Sequence, residues 1–250
     1  MTRETLIVEH QGPVLTVVIN RPEASNALTS EMYEMAADAI SIAERDSRVR
    51  VILIGGTPGM FTAGHDIRDL RTFAETGAFG ASPIRFLKTL ATVDKPVVAA
   101  VDGLAVGMGT TLLLHCDFVV ASEWSILSAP FADLGLSPEA ASSLLAPRML
   151  GYHRAFELLV MGEQHDAQRA LQAGLVSKVV PAEEVETAAF GFARALATKP
   201  PEAVRTARRL LRGDRREVIT RIDQEATAFT ELLRSPAARD ALQAFLDRNN

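Results

Sequence analysis

Glu139 is the one ionisable residue in residues 134–143, which read LGLSPEAASS. A carboxylate among Leu, Ala, Gly, Pro and Ser has two interpretations. It could lie in the first turn of a helix, with Ser137 as the N-cap, Pro138 at the first helical position and the acid facing the helix dipole. It could instead be a general base in a partly dry site. The spacing alone supports both interpretations equally.

Two glycine-rich turns offer a different kind of chemistry. Residues 61–67 read FTAGHDI, and residues 103–111 read GLAVGMGTT after an apolar run. Small residues let backbone N–H groups approach a ligand closely, and a helix N-terminus adds a positive partial charge. Either turn by itself is typical of an ordinary tight turn. Together they could form an oxyanion hole.

Several other chemistries have no support in the sequence. Gly107 and Gly109 lack the third glycine of a dinucleotide fingerprint, and Asp117 follows them too soon to bind a ribose. Neither a Gly-Lys-Ser/Thr phosphate loop nor a GxSxG elbow occurs. The five histidines show no metal-ligand spacing. We therefore expect surface or capping roles for the histidines, and no metal site.

Composition limits the class of protein. The chain has 250 residues, 48% of them hydrophobic, which suits one main domain. Its net charge of −5 argues against a nucleic-acid partner, and the single cysteine, Cys116, excludes an intrachain disulfide. The first ten residues lack the apolar core of a signal peptide, and no run is long enough to span a membrane. We expect a cytoplasmic protein without a membrane partner.

The elements that must position these residues are predicted from hydrophobic patterning. Short, strongly apolar runs lack the polar residues of a solvent-exposed face and indicate buried, largely parallel strands joined by helices. These runs cover residues 14–19, 49–54, 96–101, 118–121 and 176–180. Apolar residues from Met32 to Ala43 keep helical spacing, and Thr29 or Ser30 could cap that helix.

The last third of the chain changes character. No strand signal follows residue 180, and segments starting at Glu183, Pro201, Glu217 and Pro236 are typical of successive helices. We predict an α/β core over residues 1–181 and a helical region over residues 182–250, packed on the core. The region is rich in arginine, and a solvated helix face is favoured over a phosphate-binding role for this cluster. The cluster consists of Arg205, Arg208, Arg209, Arg212, Arg215 and Arg216.

A series of short motifs resembles the enoyl-CoA hydratase/isomerase (crotonase) superfamily in order and spacing. The motifs are Asn20-Arg21-Pro22, Asn26-Ala27-Leu28, FTAGHDI at 61–67, KPVVAAVDG at 95–103, Cys116-Asp117 and AGLV at 173–176. Each motif is weak by itself, and their shared order carries the resemblance. It implies an α/β spiral of ββα units, a C-terminal helical region used in oligomerisation, and a homotrimer or a dimer of trimers.

The resemblance also implies an enoyl-CoA thioester substrate, with coenzyme A as part of the substrate and no separate cofactor. Family members hold the thioester enolate oxygen between two backbone N–H groups, which map onto His65 and Met108. The family's coenzyme A contacts map onto the turn after the second strand and onto one residue after the first. These positions are Ala24, Ala63, Gly64, His65, Asp66 and Ile67.

Two departures from the family pattern narrow the expected activity. Typical hydratases carry two catalytic glutamates, at positions that map onto Thr111 and Phe131 here. Neither side chain is an effective base at neutral pH. Peroxisomal-type Δ3,Δ2-enoyl-CoA isomerases share the P-F-x-x-L-G and S-P-E-x-x-S-S segments, and their catalytic base maps onto Glu139. The resemblance therefore implies an isomerase in which Glu139 shuttles a proton from C2 to C4.

Other activities stay open because one fold hosts many chemistries. Hydration, dienoyl-CoA isomerisation and thioester cleavage are alternatives within the superfamily. A catalytically silent acyl-CoA binder is an alternative of a different class. A helix-capping role for Glu139 is compatible with each of them.

Overall fold

The computed structural model describes residues 4–76 and 80–248. Apolar, β-branched segments form the strands. The strands in this part of the chain are β1 (Leu6–Gln11), β2 (Val14–Ile19), β3 (Val51–Gly55), β4 (Met60–Thr62), β5 (Val97–Val101), β6 (Leu104–Val106), β7 (Phe118–Ser122), β8 (Ile126–Ser128), β9 (His165–Asp166) and β10 (Lys178–Val180). The five predicted strand runs correspond to β2, β3, β5, β7 and β10, with ends displaced by up to two residues.

A larger sheet has the strand order β1-β2-β3-β5-β7-β10. From β2 to β10 all neighbours are parallel, as predicted, and β1 pairs with β2 antiparallel. A second sheet, β4-β6-β8-β9, lies outside the sequence prediction. Its strands have two or three residues each, too short for a periodic hydrophobic signal.

Helices connect and cover the sheets. Their bounds are α1 (Ser30–Arg45), α2 (Ile67–Thr76), α3 (Ala81–Thr92), α4 (Met108–Thr111), α5 (Ser142–Leu150), α6 (Tyr152–Leu159), α7 (Ala167–Ala173), α8 (Val185–Ala197), α9 (Pro201–Arg212), α10 (Arg215–Leu233) and α11 (Pro236–Arg248). Short 3₁₀ helices cover Pro22–Ala24, Leu112–His115, Ala132–Leu134 and Ala182–Glu184. Thr29 caps α1, because its Oγ1 accepts a hydrogen bond from the Met32 N–H at 3.3 Å.

The central strands β2, β3, β5 and β7 of the large sheet are buried on both faces, which explains why they are nearly continuously apolar. One face contributes to the main hydrophobic core, which includes Ile52 and Ala99 together with the apolar sides of α1 and α3. The other face, including Leu53 and Val98, packs against α8. This mixed α/β architecture confirms the predicted fold class.

The C-terminal helices pack on the core. Helix α10 lies against α2, α3 and α5, and α11 lies against α2 and the 3₁₀ helix Ala132–Leu134. Helices α8, α10 and α11 all contact elements that precede residue 181, so no gap in the contacts marks a boundary there. The division at residue 181 stays a prediction. Among the described helices, none combines the length and apolar character needed to cross a bilayer.

Of the two interpretations of Glu139, the one with Ser137 as the N-cap of a helix is wrong. Helix α5 begins at Ser142, and Glu139 lies in the preceding loop. Ala140 and Ala141 adopt left-handed conformations, with φ of 63° and 53°. Because these two consecutive alanines are left-handed, the right-handed helix cannot extend back to the Ser-Pro-Glu segment. The left-handed conformation costs roughly 1–2 kcal/mol of conformational energy for each residue. Glu139 therefore does not lie in the first turn of a helix.

Candidate active site

The strained turn after Glu139 is held from two sides. The Ser142 N–H donates to the Glu139 carbonyl oxygen at 3.0 Å, and His115 Nε2 lies 2.7 Å from the Ala140 carbonyl oxygen. His115 is buried, and burial lowers its pKa to about 4. Left-handed conformations at non-glycine residues persist only where their surroundings enforce them, and they cluster at functional sites. The turn places the Glu139 side chain inside the protein, where 2% of the residue is exposed.

The side chain of His65 contacts the Glu139 carboxylate. Its Nε2 lies 2.8 Å from both carboxylate oxygens. Its Nδ1 lies 2.8 Å from the hydroxyl of Tyr33, a buried residue of α1. The Tyr33 and His65 rings pack at 5.4 Å, and the Phe229 ring of α10 meets the edge of His65 at 6.3 Å. Three distant segments thus meet at one imidazole.

The prediction of surface or capping roles for the histidines is wrong for three of the five. The His65 side chain is only 7% exposed, and His115 and His165 are also buried. A histidine gives no hydrophobic signal in a sequence, and each of these three is enclosed by segments remote in the chain. The resemblance assigned His65 a role only through its backbone N–H, so the side-chain contact with Glu139 was missed.

The residues expected to contact coenzyme A lie along two adjacent segments. The Ala63 N–H donates to the Ser25 carbonyl oxygen at 3.0 Å, and the Leu28 N–H donates to the Gly64 carbonyl oxygen at 2.7 Å. Ala24 is the last residue of the 3₁₀ helix immediately before Ser25, and Ile67 begins α2. The structure therefore brings Ala24 together with the 63–67 turn.

Asp66 fixes this turn through an ion pair. Its carboxylate lies 2.6 Å from Nη1 of Arg21 and also accepts the Arg68 N–H at 2.8 Å. Burial by itself would raise the pKa of Asp66, but these hydrogen bonds and the Arg21 charge hold it below its usual value. The side chain therefore has a structural partner, so a ligand contact at Asp66 would have to involve its backbone.

The two glycine-rich turns pack directly against each other. Gly64 has φ of 85°, and a Cβ atom placed on it would lie 2.6 Å from the Val106 carbonyl oxygen and 3.3 Å from the Met108 nitrogen. Met108 is the first residue of α4, and the N–H groups at the start of a helix have no partner within that helix. This contact places the Met108 backbone beside the residue preceding His65, an arrangement compatible with an oxyanion hole.

The two positions that carry acids in typical hydratases are buried and hold no acid. Thr111 is fully enclosed, and its hydroxyl lies 3.4 Å from the Met108 carbonyl oxygen. Phe131 is part of the main hydrophobic core. Among the residues that the structure describes, no group of three or more His, Cys, Asp and Glu side chains is arranged to hold a metal ion.

Glu225 of α10 is a second buried acid near Glu139, which sequence reasoning missed. Its Oε1 accepts hydrogen bonds from the Ser143 N–H at 2.9 Å and the Ser143 hydroxyl at 2.5 Å, so it caps α5. Burial, with a smaller contribution from the Glu139 charge, raises the pKa of Glu225 to about 7 against these hydrogen bonds. Glu225 lies 82 residues from Ser143, so the sequence carries no signal of this contact.

The expectation of a solvated arginine face is wrong for part of the arginine cluster. Arg208 is buried, and its Nε donates to Asp117 at 2.7 Å. Arg212 also pairs with Asp117, and Arg215 pairs with Asp94. These residues attach α9 and α10 to the ends of α3 and β7. Arg205 pairs with Glu202, as the solvated interpretation requires.

Comparison with known proteins agrees with the fold and the motifs. The family model for enoyl-CoA hydratase/isomerase matches residues 9–250. The chain is 32% identical over 252 residues to short-chain-enoyl-CoA hydratase of Clostridium acetobutylicum, covering 99% of this chain and 97% of that protein. It is 31% identical to enoyl-CoA delta isomerase 2 of Rattus norvegicus, covering 97% of this chain and 63% of that protein. A crystal structure of enoyl-CoA hydratase/isomerase from Pseudoalteromonas atlantica aligns with a TM-score of 0.91 and 38% identity, over 98% of both chains. The chain belongs to the enoyl-CoA hydratase/isomerase family.

Proposed function

We propose that the protein is a Δ3,Δ2-enoyl-CoA isomerase that uses Glu139 as its base. The observation that carries this proposal is the buried Glu139 carboxylate, 2.8 Å from His65, combined with the absence of acids at Thr111 and Phe131. Hydration needs a water molecule activated near the β-carbon while a proton reaches the α-carbon. Isomerisation needs only one group that accepts a proton and gives it back.

The proposed reaction has two steps. The Glu139 carboxylate removes a proton from C2 of a 3-enoyl-CoA, and the electron pair moves to the thioester oxygen to give a dienolate. The carboxylic acid then returns the proton to C4, which shifts the double bond from C3–C4 to C2–C3. No electrons are gained or lost overall, so the reaction needs no cofactor beyond the coenzyme A of the substrate.

Backbone N–H groups stabilise the dienolate in this proposal. The donors are those of His65 and Met108, in the two turns that meet at Gly64. One oxyanion donor contributes roughly 10²- to 10³-fold to a rate. The adjacent Ala24 and 63–67 segments are the proposed coenzyme A contacts. A homotrimer or dimer of trimers stays a prediction.

Hydration of a 2-enoyl-CoA is the second candidate, and Glu225 is the observation that favours it. Its carboxyl group is near enough to Glu139 for the Glu139 charge to raise its pKa, and it could supply a second acid. Isomerisation is preferred because Oε1 of Glu225 is held by Ser143 at the start of α5, which gives this carboxyl group a structural role.

The Glu139→Gln variant tests the proposal. The amide keeps the shape of the side chain and an oxygen that can accept from His65, but it cannot take up a proton from C2. We expect kcat for 3-enoyl-CoA isomerisation to fall by about 10²- to 10⁴-fold, the usual contribution of a general base. Steady-state kinetics with a panel of 3-enoyl thioesters measures this change.

An exposed glutamate in the 3₁₀ helix Ala182–Glu184 provides the matched control. Glu183→Gln makes the same chemical change at an exposed position and is expected to retain wild-type kcat. Near-wild-type isomerisation by Glu139→Gln would exclude Glu139 as the base. Rapid hydration of a 2-enoyl-CoA by the wild type would favour the second candidate, and acyl-CoA binding without any turnover would indicate a silent binder.

A further inference from the structure

We propose that Tyr33 and His65 are positioning residues that form a hydrogen-bonded relay with Glu139, in which the His65 Nε2–H holds the carboxylate and the Tyr33 hydroxyl sets the histidine tautomer. Its kinetic consequence rests on the proposed isomerase function. Its hydrogen-bond directions do not, and they are tested separately.

The relay is a continuous chain of short contacts inside the protein. The Tyr33 hydroxyl lies 2.8 Å from His65 Nδ1, and His65 Nε2 lies 2.8 Å from each oxygen of Glu139. Tyr33 is 1% exposed and Glu139 is 2% exposed. Among the hydrogen bonds of the described residues, the Glu139 carboxylate has contacts only with His65. A buried carboxylate without a donor would be strongly unfavourable, so the His65 contact is what makes this location tenable.

The directions of the hydrogen bonds follow from the tyrosine. Burial raises the pKa of Tyr33 well above its usual value, and the charges of Glu139 and Asp69 raise it further. The phenol therefore keeps its proton and is able to donate a hydrogen bond to Nδ1. Nδ1 then acts as the acceptor, and the ring proton resides on Nε2, where it points to Glu139. This assignment satisfies every polar atom of the relay, while the opposite tautomer would leave Nε2 and the carboxylate as two facing acceptors.

Neighbouring carboxylates already have other donors. Asp69 of α2 accepts from the N–H and hydroxyl of Ser30, and Glu225 of α10 accepts from Ser143. Of these three acids, Glu139 is therefore the one that has His65 as its hydrogen-bond donor.

The equal distances from Nε2 to both oxygens have a mechanistic consequence. When one oxygen of Glu139 takes the proton from C2, the other keeps its hydrogen bond to His65. The carboxyl group can then deliver its proton to C4 while its other oxygen keeps the hydrogen bond to His65, which fixes its orientation. The same residue supplies a backbone N–H to the proposed oxyanion hole, so His65 links the orientation of the base to the position of the thioester oxygen.

Nitrogen NMR of the histidine side chains tests the tautomer in the full-length protein. We expect His65 in the wild type to carry its proton on Nε2 at neutral pH, with Nδ1 as a hydrogen-bond acceptor. Tyr33→Phe keeps the ring and removes the hydroxyl, and we expect it to shift the Nδ1 resonance and raise the share of the Nδ1–H tautomer. The second tyrosine of the chain, Tyr152, is 68% exposed, and Tyr152→Phe is the matched control that should leave the His65 resonances unchanged. A wild-type His65 that carries a proton on Nδ1 would overturn the relay.

Kinetics with three His65 variants tests the positioning role. Glutamine places its amide N–H₂ near the location of Nε2, whereas leucine fills space without a donor, and asparagine is too short. All three keep the backbone N–H. We expect kcat to fall by about 10- to 100-fold in His65→Leu and His65→Asn, the range for one hydrogen bond to a charged group, with KM changed by less than about threefold. His65→Gln should recover much of the loss, and His153→Gln at an exposed histidine should match the wild type.

The two experiments separate the relay from the proposed function. Equal kcat in wild type, His65→Leu and His65→Gln would refute the positioning role, and so would losses confined to KM. Absence of isomerisation by the wild type would refute the proposed function, and the NMR result would then decide alone whether the relay exists.

Discussion

Asn26 shows how one polar side chain holds several segments near the candidate site. Its Nδ2 donates to Thr57 Oγ1 at 2.9 Å and to the Met60 carbonyl oxygen at 2.7 Å, while its Oδ1 accepts the Arg21 N–H at 2.7 Å. The residue is fully buried and has φ of 54°, a conformation that asparagine tolerates better than most residues. Its position fixes the segment on which Ala24 and Leu28 lie.

Replacing this side chain tests its contribution to stability. We expect Asn26→Ala to lower the free energy of unfolding by about 2–4 kcal/mol, because buried partners lose their hydrogen bonds and alanine disfavours a positive φ. Urea unfolding followed by circular dichroism measures the change. Gln172→Ala, at an exposed position of α7, is the control and should change stability by less than about 0.5 kcal/mol. Equal stability of the two variants would contradict this account of Asn26.

Sequence reasoning could single out Glu139 but not its surroundings. An acid in an apolar stretch is visible in the chain, and so are the glycines of the two turns. The contacts that give Glu139 its environment join residues 32 and 74 positions apart, namely Tyr33 with His65 and His65 with Glu139. One sequence carries no signal for such pairings, because they depend on how the sheet and helices pack.

At the scale of elements, those with a long hydrophobic pattern can be predicted from the sequence, and those with a short pattern cannot. Strand β5 and helix α1 were predictable because the strand is buried on both faces and the helix is periodic over four turns. The second sheet was not, since its strands are too short to show alternation. The start of α5 could not be fixed from the sequence because two alanines, normally good helix formers, occupy left-handed conformations imposed by tertiary contacts.

The contact between the turns after β4 and β6 gives a prediction at this scale. In Gly64→Ala the new Cβ meets the Val106 carbonyl oxygen at 2.6 Å and the Met108 nitrogen at 3.3 Å, at a φ of 85° that alanine disfavours. The turns must separate, and the two proposed oxyanion donors move apart. We expect kcat to fall by roughly 10²- to 10³-fold, the loss associated with one oxyanion donor.

Gly12 offers a matched control for this substitution. Its φ is 64°, and nothing lies within 4 Å of its Cβ position, so Gly12→Ala introduces comparable backbone strain without a clash. Its kcat should match the wild type even if its stability falls. Comparable kcat for Gly64→Ala and the wild type would show that the contact between the turns does not set the geometry of catalysis.

At the scale of the whole molecule, α10 closes over the loop that carries Glu139. Glu225 caps α5 just after the strained turn, and the His115 side chain contacts the Ala140 carbonyl oxygen within that turn. Both groups are buried and titrate away from their usual ranges. The pKa of Glu225 is raised by burial from 4.5 to about 7, and burial lowers that of His115 from 6.5 to about 4. Their effects on stability therefore depend on pH with opposite signs.

Differences in unfolding free energy between variant and wild type separate these two effects. Protonated Glu225 favours the folded state below about pH 4.5, and this contribution is lost as pH rises to about 7. Glu225→Gln mimics the protonated acid, so its stability relative to wild type should increase over that interval by on the order of 1–3 kcal/mol. Neutral His115 favours the folded state above about pH 6.5, and this contribution is lost as pH falls to about 4. The stability of His115→Gln relative to wild type should therefore increase as pH falls from about 6.5 to about 4. Urea unfolding at half-unit steps of pH measures both trends, with Glu183→Gln as the flat control. A pH-independent difference for Glu225→Gln between about pH 4.5 and 7 would mean that the pKa of Glu225 is not raised on folding, and the capping contact with Ser143 would then have to stabilise a buried charge beside Glu139.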